Sequence, residues 1–172
     1  RRRPDRPVTG VCLTGRSSRD SSNYGVGNGL RENDMGCAKK KMAKGGMPDG
    51  FFFDIHARED DKLLGFVGLW GPEWTHGDTI VSIGLGEPEY WGKGYGTEAM
   101  HLVLQYAFTE LNLHRVTLFV FEYNARGIRS YEKAGFKHEG RIRQLMLRDG
   151  DRRDVLIMGV LREEWLAENA NR

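Results

Sequence analysis

Hydrophobic residues follow clear periods in this chain only from Phe51 onward. Phe51-Phe52-Phe53-Asp54-Ile55-His56-Ala57 and Leu63-Leu64-Gly65-Phe66-Val67-Gly68-Leu69-Trp70 flank the polar turn Glu59-Asp60-Asp61-Lys62, which predicts a hairpin. Gly71-Pro72 is expected to break the second strand, and Thr79 to Leu85 makes the next one. Ala99, Leu102, Val103, Tyr106, Ala107 and Leu111 then recur at helical spacing, and Asn112 and His114 end that helix. Arg115 to Phe121 reads as a strand. Asn124 opens a second helix that runs through Ala134 and is stopped by Gly135. Phe136 to Leu147 and Asp154 to Leu161 form a closing hairpin around Asp149-Gly150-Asp151.

This order predicts an α+β fold: a mixed, mostly antiparallel central sheet with one parallel strand pair, flanked by helices. The parallel pair joins the strand before the first helix to the strand after it. In open sheets a ligand crevice forms at the carboxyl ends of such strands. No internal repeat is present.

Residues 1–48 contrast with the rest. They contain no Phe, Trp or Ile and are rich in Gly, Ser, Asn, Arg and Lys. A short helix around Leu30 to Lys44 is predicted from Met35, Ala38 and Met42 on one side, weakened by Gly36. With so little apolar area to offset the entropy of ordering, the segment is expected to pack loosely or not at all against the sheet. The division expected is therefore a basic N-terminal segment over 1–48 and a folded domain over 49–172.

Charge follows the same division. Residues 1–48 hold 11 Lys and Arg against 4 Asp and Glu, leaving 15 against 20 for the remainder. A basic block suits nucleic acid or an acidic partner, but without interleaved aromatics beyond Tyr24 it reads as a solvated face or tail. Cys12 and Cys37 form no metal-spaced or disulfide-rich pattern, which points to a reducing, cytoplasmic setting and to no metal. No apolar run approaches membrane-spanning length, and no signal-peptide pattern is present at the start, so no membrane partner is expected.

The candidate chemistry lies in Gly84-Leu85-Gly86-Glu87-Pro88-Glu89-Tyr90-Trp91-Gly92-Lys93-Gly94-Tyr95-Gly96-Thr97. Three glycines in five positions follow a strand and open a helix. The first N–H groups of that helix lack intrahelical partners and, with the positive end of its dipole, suit a pyrophosphate. The spacing is neither a dinucleotide fingerprint nor a P-loop. A plain turn fits equally well.

Asn124-Ala125-Arg126-Gly127-Ile128-Arg129-Ser130-Tyr131-Glu132-Lys133-Ala134-Gly135-Phe136 resembles the second signature of GNAT-type N-acetyltransferases. The glycine segment resembles their acetyl-CoA loop, in the same order and at the same spacing. Leu111 to Val116 and the tail hairpin Arg148 to Val155 are similar to the branch holding ribosomal-protein N-terminal and spermidine acetyltransferases. The resemblance covers about residues 50 to 165. It implies an acetyl-CoA-dependent N-acetyltransferase that passes acetyl to an amine by direct attack, with no metal.

The resemblance also implies roles. The backbone of Gly84, Leu85 and Gly86 would pair with the pantetheine arm, and the loop from Trp91 through Gly92, Lys93, Gly94, Tyr95, Gly96 and Thr97 would hold the pyrophosphate. Asn124 would contact the cofactor arm, although helix capping explains it as well. Arg129 and Lys133, four apart on one helical face, would meet phosphates or remain solvated. Tyr131 would be the catalytic acid. A thiol pKa near 8.5 lies below a phenol near 10, so it would act mainly by hydrogen bonding to the departing sulfur.

Three departures from the family pattern stand out. Trp91 replaces a Gln or Arg at the start of the loop. Phe119 occupies the position, five before Asn124, where some relatives carry a carboxylate base. Glu73, His76, Glu89 and Glu122 are the substitutes considered. The family's N-terminal region supplies a strand and two helices that wall the acceptor site, and residues 1–48 lack that pattern. The acceptor (a protein N-terminus, a polyamine or a small amine) is left open, as are a homodimer and a non-catalytic acyl-CoA-binding module.

Overall fold

The computed structural model describes residues 10–17, 50–86 and 88–170 of the 172. Seven strands form one sheet: β1 (Val11–Ser17), β2 (Gly50–Ala57), β3 (Leu63–Glu73), β4 (Asp78–Leu85), β5 (Arg115–Phe121), β6 (Lys137–Arg148) and β7 (Asp151–Leu161). Their order across the sheet is β1-β2-β3-β4-β5-β7-β6. Every neighbouring pair is antiparallel except β4 and β5. Helix α1 (Tyr95–Gln105) follows β4, α2 (Ala125–Lys133) follows β5, and α3 (Arg162–Asn169) follows β7. This is the α+β, mixed-sheet arrangement the sequence predicts. Among the described residues no helix is long and apolar enough to cross a membrane.

Alternation places one apolar face of the sheet against α1. Val11 and Leu13 of β1, Phe53 and Ile55 of β2, Val67 and Leu69 of β3 and Val116 and Leu118 of β5 are buried with Ala99, Met100, Val103 and Leu104 of α1. A side-chain period of two along strands and 3.6 along the helix produces this match. After Gln105 the helix widens into a π turn over Tyr106–Glu110, which buries Ala107 and Phe108.

Three expectations are corrected. The first concerns residues 11–17, part of the segment expected to pack loosely: Val11, Cys12 and Leu13 are buried, and β1 runs antiparallel to β2 with Val11 opposite Ala57. Pairing with a formed strand satisfies the backbone, so three apolar residues suffice where an isolated segment would stay open. The helix predicted around Leu30 to Lys44 lies outside the described residues. The second correction is Gly71-Pro72, which does not end β3. Gly71 takes φ +51° and the strand continues to Glu73 across an irregular register, as at a bulge. The third is α3, unforeseen because Trp165 and Leu166 are its only large apolar residues.

The feature that positions the site is the separation of β4 from β5. They pair only over Asp78–Arg115, Thr79–Val116 and Ile80–Thr117. Beyond Ile80, β4 stays with β3, and beyond Thr117, β5 stays with β7. A wedge therefore opens at the carboxyl ends of the two parallel strands. Its edges carry backbone groups without a strand partner across the gap, which suit an extended ligand.

Candidate active site

The glycine loop and the start of α1 form one wall of the site. Gly92 and Gly94 have φ of +75° and +97°, and a Cβ on either would meet nothing within 4 Å. Backbone conformation, not space, thus requires glycine there. Gly94 is the N-cap of α1, and the first intrahelical bond runs from the Glu98 N–H to the Gly94 carbonyl at 3.0 Å. The N–H groups of Tyr95, Gly96 and Thr97 are consequently left for another acceptor, at the positive end of the helix.

Helix α2 forms the facing wall. Asn124 caps it, its Oδ1 accepting the Gly127 N–H at 3.0 Å. A Cβ at Gly127 would approach the Asn124 amide to 2.5 Å, so the cap and the glycine require each other. Thr97 Oγ1 and Ser130 Oγ are 2.8 Å apart and link the two walls.

Between them lies a cavity of about 750 Å3, within the usual range for small-molecule sites. Leu85, Trp91, residues 92–97, Asn124, Arg129, Tyr131 and Lys133 all line it. Gly84 and Gly86 do not. They line a second, shallower cavity of about 370 Å3 beside Leu63 and Phe66, and Leu85 lines both. A Cβ at Gly84 would meet the Phe66 ring at 2.9 Å, so its missing side chain makes room for a cross-strand phenylalanine. Arg126 and Ser130 also line the large cavity. Neither stands out in the sequence alone, although Arg126, Arg129 and Lys133 stand at i, i+3 and i+7, the spacing of one helix face.

Tyr131 belongs to both the core and the cavity. It packs against the buried cluster, with its ring 6.2 Å from that of Phe136, and still reaches the cavity wall. Burial pushes its phenol above the ordinary tyrosine value. The hydroxyl therefore keeps its proton at neutral pH and can donate a hydrogen bond.

The four substitute bases fare differently. Glu73 and His76 lie beside Asp78, at the amino end of β4. Neither lines the cavity between α1 and α2. Glu89 accepts a hydrogen bond from Lys62 Nζ at 2.7 Å, which holds its carboxyl below the usual range. Glu122 follows β5 at the wedge end. It accepts the Asp154 N–H at 3.2 Å and lies 3.5 Å from Arg141 Nη2. Phe119 is half exposed on β5. Among the described residues no group of His, Cys, Asp and Glu is arranged to hold a metal ion.

Comparison with known proteins agrees with this geometry. The acetyltransferase (GNAT) domain family matches residues 21–137, more than half of the chain. The chain belongs to the GNAT acetyltransferases. The match begins upstream of residue 50, where the visible motifs begin, and includes part of the basic segment. An uncharacterized N-acetyltransferase from the SPbeta prophage of Bacillus subtilis is 32% identical over 117 residues, covering 68% of this GNAT chain and 65% of that protein. The spermidine N(1)-acetyltransferase of Escherichia coli K12 is 38% identical over 110 residues, 64% of this chain and 59% of that one. The chain thus spans less than two thirds of the length of these relatives. A crystal structure of the spermidine N-acetyltransferase of Vibrio cholerae in complex with CoA and spermine superposes with a TM-score of 0.63 at 30% identity, over 68% of each chain.

Proposed function

We propose that this chain binds acetyl-CoA between α1 and α2 and transfers its acetyl group to a primary amine. The observation that carries this reading is the convergence of the Tyr95, Gly96 and Thr97 N–H groups with four cationic side chains, Lys93, Arg126, Arg129 and Lys133, on one cavity. That donor set fits a polyphosphorylated nucleotide, and the wedge between β4 and β5 fits an extended arm laid beside it.

Acetyl-CoA supplies the acyl group already activated as a thioester. Loop residues 92–97 hold the pyrophosphate by backbone N–H groups, and the edge of β4 that has left β5 beyond Ile80 guides the arm into the wedge. The amine nitrogen attacks the carbonyl carbon, the C–N bond forms and the C–S bond breaks. Tyr131 donates a hydrogen bond to the departing sulfur as charge gathers there, which stabilises the transition state more than the bound substrate. The proton lost from the amine passes to solvent. Among acceptors, polyamines have the support of relatives named as spermidine acetyltransferases.

Thiol release from acetyl-CoA over a panel containing spermidine, an aminoglycoside and a peptide with a free N-terminus tests this reading. Turnover with at least one amine is expected. Tight CoA binding without turnover on any amine would replace it with a binding module.

A further inference from the structure

Arg126 differs from the other cations on the cavity. Its guanidinium carbon lies 3.7 Å from the centroid of the Trp91 ring, within cation–π range. Trp91 is itself anchored: its indole Nε1 donates to the Leu85 carbonyl at 3.0 Å and its backbone N–H to the Pro88 carbonyl at 3.1 Å. The end of β4, the glycine loop and the first turn of α2 are thereby joined through one stacked pair across the cavity rim. No carboxylate among the described residues forms a salt bridge with Arg126.

A guanidinium pinned against a ring still presents its N–H edge, and it loses less rotamer freedom when an anion arrives. Arg129 and Lys133 continue the same face of α2 over about 10 Å at 1.5 Å per residue. The α1 N–H groups suffice for a pyrophosphate and leave this cationic face unused. CoA carries one further phosphate, a monoester on the ribose 3′ oxygen, with nearly two negative charges at neutral pH.

We propose that Arg126, preset by Trp91, is the residue through which this site reads the 3′-phosphate of CoA, with Arg129 and Lys133 reinforcing it along the helix. This assignment rests on the placement of acetyl-CoA in the cavity. A planar, fixed guanidinium matches a phosphate dianion through paired N–H donors, which a lysine cannot reproduce.

Calorimetric titration of the wild type, Arg126→Ala and Arg126→Lys with CoA and with 3′-dephospho-CoA tests it. The wild type should bind CoA about tenfold or more tightly than dephospho-CoA. Arg126→Ala should lose most of that preference, with the larger loss of affinity falling on CoA, and an unchanged circular-dichroism melt reports that it is folded. Arg126→Lys should recover only part of the preference. Equal weakening towards both ligands in Arg126→Ala, or no preference in the wild type, overturns the assignment to Arg126 and leaves the cofactor site standing. A wild type that binds neither ligand overturns the cofactor site, and the assignment with it.

Discussion

The Thr97 hydroxyl on α1 and the Ser130 hydroxyl on α2 are 2.8 Å apart, tying together the two helices that wall the site. Ser130→Ala removes one partner of a half-buried bond and should lower stability by about 0.5–1.5 kcal/mol. A thermal melt should show a fall of a few degrees, accompanied by a modest loss of CoA affinity as the helices part. An unchanged melt and unchanged affinity would show that the pair does not set the width of the cavity.

Gly94→Val tests the glycine loop. At φ +97° with open space around a Cβ, the cost is backbone strain, about 1–2 kcal/mol for a left-handed L-residue. Relief of that strain turns the α1 N–H groups away from the ligand. CoA affinity should fall by about tenfold or more. A folded variant with wild-type affinity would remove the pyrophosphate from this loop.

Tyr131→Phe should lower turnover by about tenfold to a thousandfold while CoA affinity changes little, because the hydroxyl is needed only as charge develops on sulfur. Its pH behaviour is a separate check. Burial raises the phenol above its ordinary value near 10, so the proton is retained throughout the neutral and mildly alkaline range. No loss of turnover with a midpoint below pH 9 should arise from this residue. An alkaline loss below pH 9 that disappears in Tyr131→Phe would contradict the hydrogen-bond role.

Glu164 gives a prediction about stability. Its carboxylate accepts Lys137 Nζ at 2.6 Å and the Leu161 N–H at 3.2 Å at the start of α3, and both lower its pKa, Lys137 more. A lowered folded value means stability that is present above the unfolded value near 4.5 and is lost as pH falls through the folded one. Glu164→Ala should therefore be less stable than the wild type at pH 7, and the difference should shrink in denaturant titrations as pH falls below 4.5. A difference that does not shrink on acidification would assign the effect to packing.

Much of this was legible because residues 51–161 carry their structure in local periods. Strands β2 to β5 and β7 alternate or run apolar between polar turns, and the Asp149-Gly150 turn and Gly135 mark boundaries that the fold keeps. Strand β1 was hidden because Val11, Cys12 and Leu13 acquire burial only from β2 and α1. Arg126 and Ser130 were hidden for a related reason. Each looks like a surface position until α2 is laid against α1 and Trp91. Gly84 was legible as a glycine but not in its cause, which is a phenylalanine eighteen residues earlier on the neighbouring strand.

Thiol release from acetyl-CoA with spermidine and other primary amines, together with mass measurement of the amine, tests the central claim most directly. Amine-dependent thiol release and an acetylated amine product are predicted, with both strongly reduced in Tyr131→Phe. A protein that binds CoA yet releases no thiol with any amine would contradict the assignment of acetyl transfer.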